Sequence, residues 1–133
     1  MMNPSKLTLE KLAKIGRTET GDSEESIRKM FVKAGLSLFD PVIQSFQFFG
    51  GYVLPFKEEG RFRILRVKAA IRMLRLNGDL STDPSRFRIP FGESETIQSL
   101  YSMDGHGHLY EDDLRIADSL ASWVEAWAKC NHV

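Results

Sequence analysis

The chain has 133 residues, 42% of them apolar and 27% charged, a globular balance at the usual size of one domain. Its 18 basic and 18 acidic side chains cancel, so total charge argues for neither a nucleic-acid binder nor a membrane-surface protein. The one cysteine, Cys130, excludes an internal disulfide and points to a reducing compartment.

Residues 1–15 mix charges into an apolar pattern and carry no signal-peptide core. No apolar run approaches the roughly 20 residues a membrane helix needs, so the expectation is a cytoplasmic protein without a membrane partner. Leu7, Leu9, Leu12 and Ile15 fit a short amphipathic helix, and residues 1–21 are read as an N-terminal extension or helix. Residues 17–21 read as a loop. Asp22 or Ser23 then caps a second helix carrying Ile27, Met30, Phe31 and Ala34, with Glu24 and Glu25 at its positive end and Gly35 as its stop. Asp40-Pro41 is a further start, a capping side chain before a proline. The stripe of Val42, Ile43, Phe46 and Phe49 follows and ends at Gly50-Gly51.

After the glycine pair the period changes from helical to alternating. Residues 52–56 are short and extended, and residues 61–67 put Phe62 and Ile64 on one face against Arg61 and Arg63 on the other. Residues 68–76 return to helical spacing, with Ala70, Ile71 and Leu74 opposite Lys68, Arg72 and Arg75, and Asn77-Gly78 ends the run. A polar loop covers residues 78–85. Residues 86–91 alternate again, with Phe87, Ile89 and Phe91 facing together, and Pro90 should keep that strand at an edge or at its end. Residues 97–103 and 107–110 read as a hairpin across Asp104-Gly105-His106, and residues 111–115 as an acidic connection. Asp118 or Ser119 caps a last helix bearing Leu120, Trp123, Val124 and Trp127. The sum is a single α+β domain over residues 1–133: N-terminal helices, a central mainly antiparallel β-sheet and a C-terminal helix packed on it.

No catalytic constellation emerges. Asp104, His106 and His108 alternate as metal ligands would, but they fall on a tight turn without a second ligand cluster; a polar, solvent-exposed hairpin tip is the preferred reading. Cys130-Asn131-His132 sits at a terminus, a poor place to preorganise a nucleophile and a base. Glu111, Asp112 and Asp113 are adjacent acids on a loop, with no apolar pocket to raise a pKa. Gly50-Gly51 lacks the lysine of a phosphate-binding loop. No catalytic residue, cofactor or metal is therefore expected.

Charge distribution is more informative. Lys57, Arg61, Arg63, Arg66, Lys68, Arg72 and Arg75 crowd one stretch against Glu58 and Glu59. Glu93, Glu95, Asp104, Glu111, Asp112, Asp113 and Asp118 crowd another against Arg115. A dipolar surface of this kind steers charged partners, while two ordinary solvated faces that neutralise one another account for it equally well.

Four segments in order are similar to the SUKH superfamily of Smi/Knr-like domains. They are the helix and glycine turn Val42-Ile43-Gln44-Ser45-Phe46-Gln47-Phe48-Phe49-Gly50-Gly51-Tyr52, the strand Arg88-Ile89-Pro90-Phe91-Gly92, the hairpin Leu100-Tyr101-Ser102-Met103-Asp104-Gly105-His106-Gly107-His108-Leu109-Tyr110, and the closing helix from Ile116 to Val124. The likeness runs from about Ile27 to Ala128. The chain departs from the family in two places: Phe62 and Phe87 fill only in part the role of its usual tryptophan or other aromatic in the central strands, and Leu120 stands where an aromatic is common. The resemblance implies a non-catalytic bacterial immunity protein, a monomer or weak dimer. Its partner would be a cognate protein toxin, encoded by an adjacent gene and possibly a nuclease, which it would neutralise by stoichiometric occlusion. On that view Glu93, Glu95, Glu111, Asp112 and Asp113 mimic nucleic acid toward a basic cleft, and Tyr52 and Tyr101, with Phe56, serve as aromatic anchors. The alternatives are a regulatory or scaffold interaction module, nucleic-acid binding through Lys68, Arg72 and Arg75, and a small hydrolase or metal enzyme built on Asp104, His106 and His108.

Overall fold

Helix formation at the N-terminal end follows from local capping. In the computed structural model, which describes residues 4–17, 21–57, 60–77 and 79–130, Ser5 accepts from the Thr8 N–H and opens α1 (Lys6–Ile15). Ser23 accepts from the Ser26 N–H and opens α2 (Glu24–Lys33). The next helix, α3 (Asp40–Phe49), starts without a side-chain cap. Its Ncap is Phe39, and Asp40 is the first helical residue rather than the cap that the Asp-Pro pair suggested. The Asp40 carboxylate instead accepts from Arg28 at 2.7 Å, joining α2 to α3.

Six strands follow the three helices, interrupted by one more helix. They are β1 (Val53–Phe56), β2 (Gly60–Ile64), then α4 (Val67–Asn77), then β3 (Ile89–Ser94), β4 (Tyr101–Met103), β5 (Leu109–Glu111) and β6 (Leu114–Ala117), before α5 (Leu120–Cys130). Spatial order equals chain order, every neighbouring pair is antiparallel, and the sheet is a six-stranded meander. The α+β architecture is therefore as expected, with helices first, an antiparallel sheet and a closing helix. Among the described residues no helix is long and apolar enough to cross a membrane.

One buried cluster runs through every element except β6, whose Ile116 and Ala117 pack against it. Phe31, Phe46, Phe49, Phe87 and Phe91 are its largest fully buried side chains. Helix α5 joins the sheet through Trp123, whose ring lies 4.7 Å from Phe62, and through Trp127, whose indole N–H donates to the Pro55 carbonyl at 2.9 Å. A buried Trp N–H needs such an acceptor, so this bond fixes the helix along β1 as well as filling the core.

Three local expectations are revised. The buried face of α1 is Thr8 and Leu12, while Leu7 and Leu9 are 43% and 53% exposed, because the Thr8 hydroxyl turns inward to Glu125 on α5. Residues 97–100 form no strand; the outer arm of the hairpin is only Tyr101–Met103. The acidic stretch after Glu111 is a tight turn with Asp112 at φ 53°, and it opens a sixth strand. Of the two placements expected for Pro90, the structure takes the strand end: Pro90 lies near the start of β3, beside a register shift, and β3 is a central strand. Residues 18–20 of the expected first loop, Glu58 and Glu59, Gly78, and Asn131 and His132 lie outside the described residues.

Candidate functional site

The five acidic candidates sit in different settings. Arg63 of β2 lies opposite Glu93 of β3 in the ladder, and their side chains approach to 3.9 Å. One step along, Arg61 donates to Glu95 at 2.7 Å. Alternation puts both arginines opposite to Phe62 and Ile64, so these pairs stand on the side of β2 turned away from α5. Glu111 accepts from the Tyr101 hydroxyl at 3.3 Å. Asp112 accepts from the Leu100 N–H at 3.0 Å and thereby shapes the β5–β6 turn, where Asp113 is exposed. Two of the five acids thus face arginines, and two belong to a turn.

The aromatic candidates are also engaged. Tyr101 is only 6% exposed and packs edge-on against Phe62 at 4.9 Å, so it is a core residue and not a surface anchor. The Tyr52 ring is half-buried beneath the Arg17 guanidinium, 4.8 Å from the ring centroid. Arg17 also donates to the Gln47 carbonyl at 2.9 Å and to that of Phe48, so it fastens the end of α1 to the end of α3. Phe56 is half-buried and packs against Trp123 at 5.9 Å. With Phe62, Tyr101, Ile116 and Trp123 it lines a small concavity of about 250 Å³, which Arg61 and Glu111 border.

The larger concavity, about 680 Å³, lies between β2 and α4. Arg61, Arg63, Arg66 and Arg72 line it together with Glu93 and Glu95. Half-buried Val53, Ala69 and Met73 supply apolar surface within it. Helix geometry explains the α4 contribution. Arg66, Ala69 and Met73 recur at three and four residues and share one side, while Val67, Ala70 and Leu74 turn into the core. Read as a stripe, the helix grouped Arg72 with Lys68 and Arg75. The fold also brings Arg72 beside Arg66 and two arginines of β2. The side chain of Arg75 lies outside those described. The 66–69–73 spacing was a usable signal, but nothing in the sequence said that β2 would stand beside it.

The hairpin acids and histidines form a structural unit. Asp104 is 1% exposed. Its Oδ1 accepts from the backbone N–H groups of His106 at 2.9 Å and His108 at 3.0 Å. Its Oδ2 accepts from the Tyr110 hydroxyl at 2.9 Å and lies 3.1 Å from His108 Nδ1. The turn is thus folded around a buried carboxylate, and Asp104 is no part of an exposed polar tip; His106, by contrast, is exposed. Among the described residues no group of three or more His, Cys, Asp or Glu side chains is arranged to hold a metal ion. Arg88 caps the unit from outside, its guanidinium 4.0 Å from the Tyr110 ring centroid. Burial, and next the bond to Asp104, hold the Tyr110 phenol above its ordinary pKa, while Arg88 and Arg115 act in the opposite sense.

Comparison with protein-family models, with curated proteins and with solved structures found no significant match.

Proposed function

We propose that this chain is a non-catalytic binding domain, and specifically an immunity protein that neutralises a cognate protein toxin by forming a stoichiometric complex. One observation supports the reading above others: the segments that resemble the SUKH superfamily coincide with the joints of the fold. Gly50 ends α3 with its N–H on the Phe46 carbonyl. The Arg88–Gly92 segment enters the central strand. The Asp104–Tyr110 segment is the carboxylate-centred turn, and residues 116–124 lead into α5.

The ion pairs on β2 and β3 modify the expected mechanism. Glu93 and Glu95 beside arginines present a mixed-charge surface, a poorer mimic of a phosphate backbone than five unopposed acids would be. Mixed charge still gives specificity, because a partner must match its alternation. The reading is tested by affinity capture of the tagged chain from its native host, together with the product of the adjacent gene. A one-to-one complex with a protein that is toxic when expressed alone is the expected result. Capture of nothing, beside a neighbouring gene whose product has no toxicity, contradicts it.

A further inference from the structure

We propose that the groove between β2 and α4 is the docking surface for an acidic segment of a protein partner. The proposal rests on the reading of the chain as a protein-binding domain, and it adds the surface and the chemistry of what binds there. Four guanidinium groups line the groove, from Arg61, Arg63, Arg66 and Arg72. Among the described residues three carboxylates meet them: Glu95 on Arg61, Glu93 on Arg63 and Asp22 on Arg66. Arg72 is exposed, and among the described residues no carboxylate lies within ion-pair distance of it. Among the described residues the groove therefore sets four guanidinium groups against three carboxylates, in a chain of zero net charge.

The two pairs between β2 and β3 are weakly committed, while Asp22 on Arg66 is largely buried. Arg61 and Arg63 are 68% and 65% exposed, and their partner carboxylates are about as open to water. Solvated pairs of this kind contribute little, so an incoming carboxylate competes with Glu93 and Glu95 on nearly equal terms. The positive groups are arginines, whose planar fork binds a carboxylate through two parallel bonds. Val53, Ala69 and Met73 add a patch where an aliphatic side chain of the same segment can be buried. Glu93 and Glu95 inside the groove decide against nucleic acid, because a continuous phosphate backbone would meet both of them. A protein segment can place its acids on the arginines and leave neutral residues beside the glutamates.

The test is a titration of the isotope-labelled full chain, followed by amide NMR, with a synthetic peptide that alternates Asp and Glu with neutral residues and carries one leucine. A DNA duplex is titrated in parallel. Peptide-induced shifts should concentrate on β2, on Arg66 just ahead of α4 and on the α4 side that bears Arg72. The doubly reversed variant R63E/R72E should bind at least about tenfold more weakly while keeping its circular dichroism and melting temperature, and R63K/R72K should fall between. Shifts spread over other surfaces, or an unchanged affinity for R63E/R72E, overturn the proposal. Tighter binding of the duplex through the same arginines overturns it in favour of nucleic acid. A captured partner that still binds R63E/R72E with full affinity also overturns the groove, and leaves the binding-domain reading standing.

Discussion

The buried carboxylate of Asp104 accepts the phenolic hydroxyl of Tyr110 at 2.9 Å, tying the β4–β5 turn to the strand that leaves it. The same carboxylate satisfies two backbone N–H groups of the turn. Removing it leaves buried donors without acceptors, which costs more than the bonds themselves contribute. Asp104→Ala should therefore destabilise the protein by about 2–4 kcal/mol. The shift in the urea unfolding midpoint, at constant slope, measures this, and a variant as stable as the parent would show that the turn does not depend on the carboxylate.

The raised phenol pKa of Tyr110 sets an alkaline limit. The folded state holds this proton more tightly than the unfolded chain, so its contribution is complete below the ordinary phenol value of 10.0 and is lost as pH rises toward the folded value. Stability should fall through that window, and Tyr110→Phe should flatten the fall. Urea titrations of both proteins across the alkaline range check the sign. An equal fall in the two proteins would assign it elsewhere.

Gly92 has no room for a side chain. A Cβ there would lie 2.2 Å from Cε1 of Phe62 and 2.9 Å from the Arg63 carbonyl oxygen. Phe62 cannot retreat freely, since its ring packs on Phe91, Tyr101 and Trp123 at 5.8, 4.9 and 4.7 Å. Gly92→Ala should cost about 1–3 kcal/mol through displacement of that ring. Near-ultraviolet circular dichroism should change with it, because the ring environment and the stability move together. A neutral Gly92→Ala would mean that the aromatic cluster has slack.

Glu125 anchors the first helix to the last. It accepts from the Ser5 backbone N–H and from the Thr8 hydroxyl at 2.8 Å. These bonds, the Ser5 contact foremost, hold its carboxyl below the usual range. A lowered folded pKa gives stability that is present above the unfolded value of 4.5 and is lost as pH falls through the folded one. In Glu125→Ala, hydrogen exchange in α1 should quicken at neutral pH while exchange in β3 stays slow. Unchanged exchange in α1 would place its anchorage in Leu12 instead.

The sequence carries the helices best where a serine cap and an apolar stripe agree. Ser23 with Ile27 and Phe31 shows this, as does Ser119, which accepts from the Ser122 N–H ahead of Val124 and Trp127. Strand β6 was hidden because its residues are exposed or half-buried and leave no alternation to read. The face of α1 was misjudged because a polar residue, Thr8, is drawn inward by a glutamate far along the chain. The IPFG segment was legible as a strand, yet the need for its glycine is visible only once Phe62 lies across it.

The candidate site was less legible, for a topological reason. Arg61 and Arg63 meet Glu95 and Glu93 only because α4 leaves the sheet after β2 and returns the chain antiparallel at β3. Residue spacing shows each charge cluster but not the register between them. Tyr101 is buried because Phe62 and Phe91 lie beside it, a proximity that the sequence does not show.

Toxin neutralisation is the central claim, and growth rescue tests it most directly. The product of the gene adjacent to this one is expressed under tight control in a sensitive bacterium, with and without this chain. The account predicts arrest by the first protein alone, full growth when this chain is co-expressed, and a one-to-one complex on gel filtration. Arrest that persists despite abundant, folded protein of this sequence would contradict it.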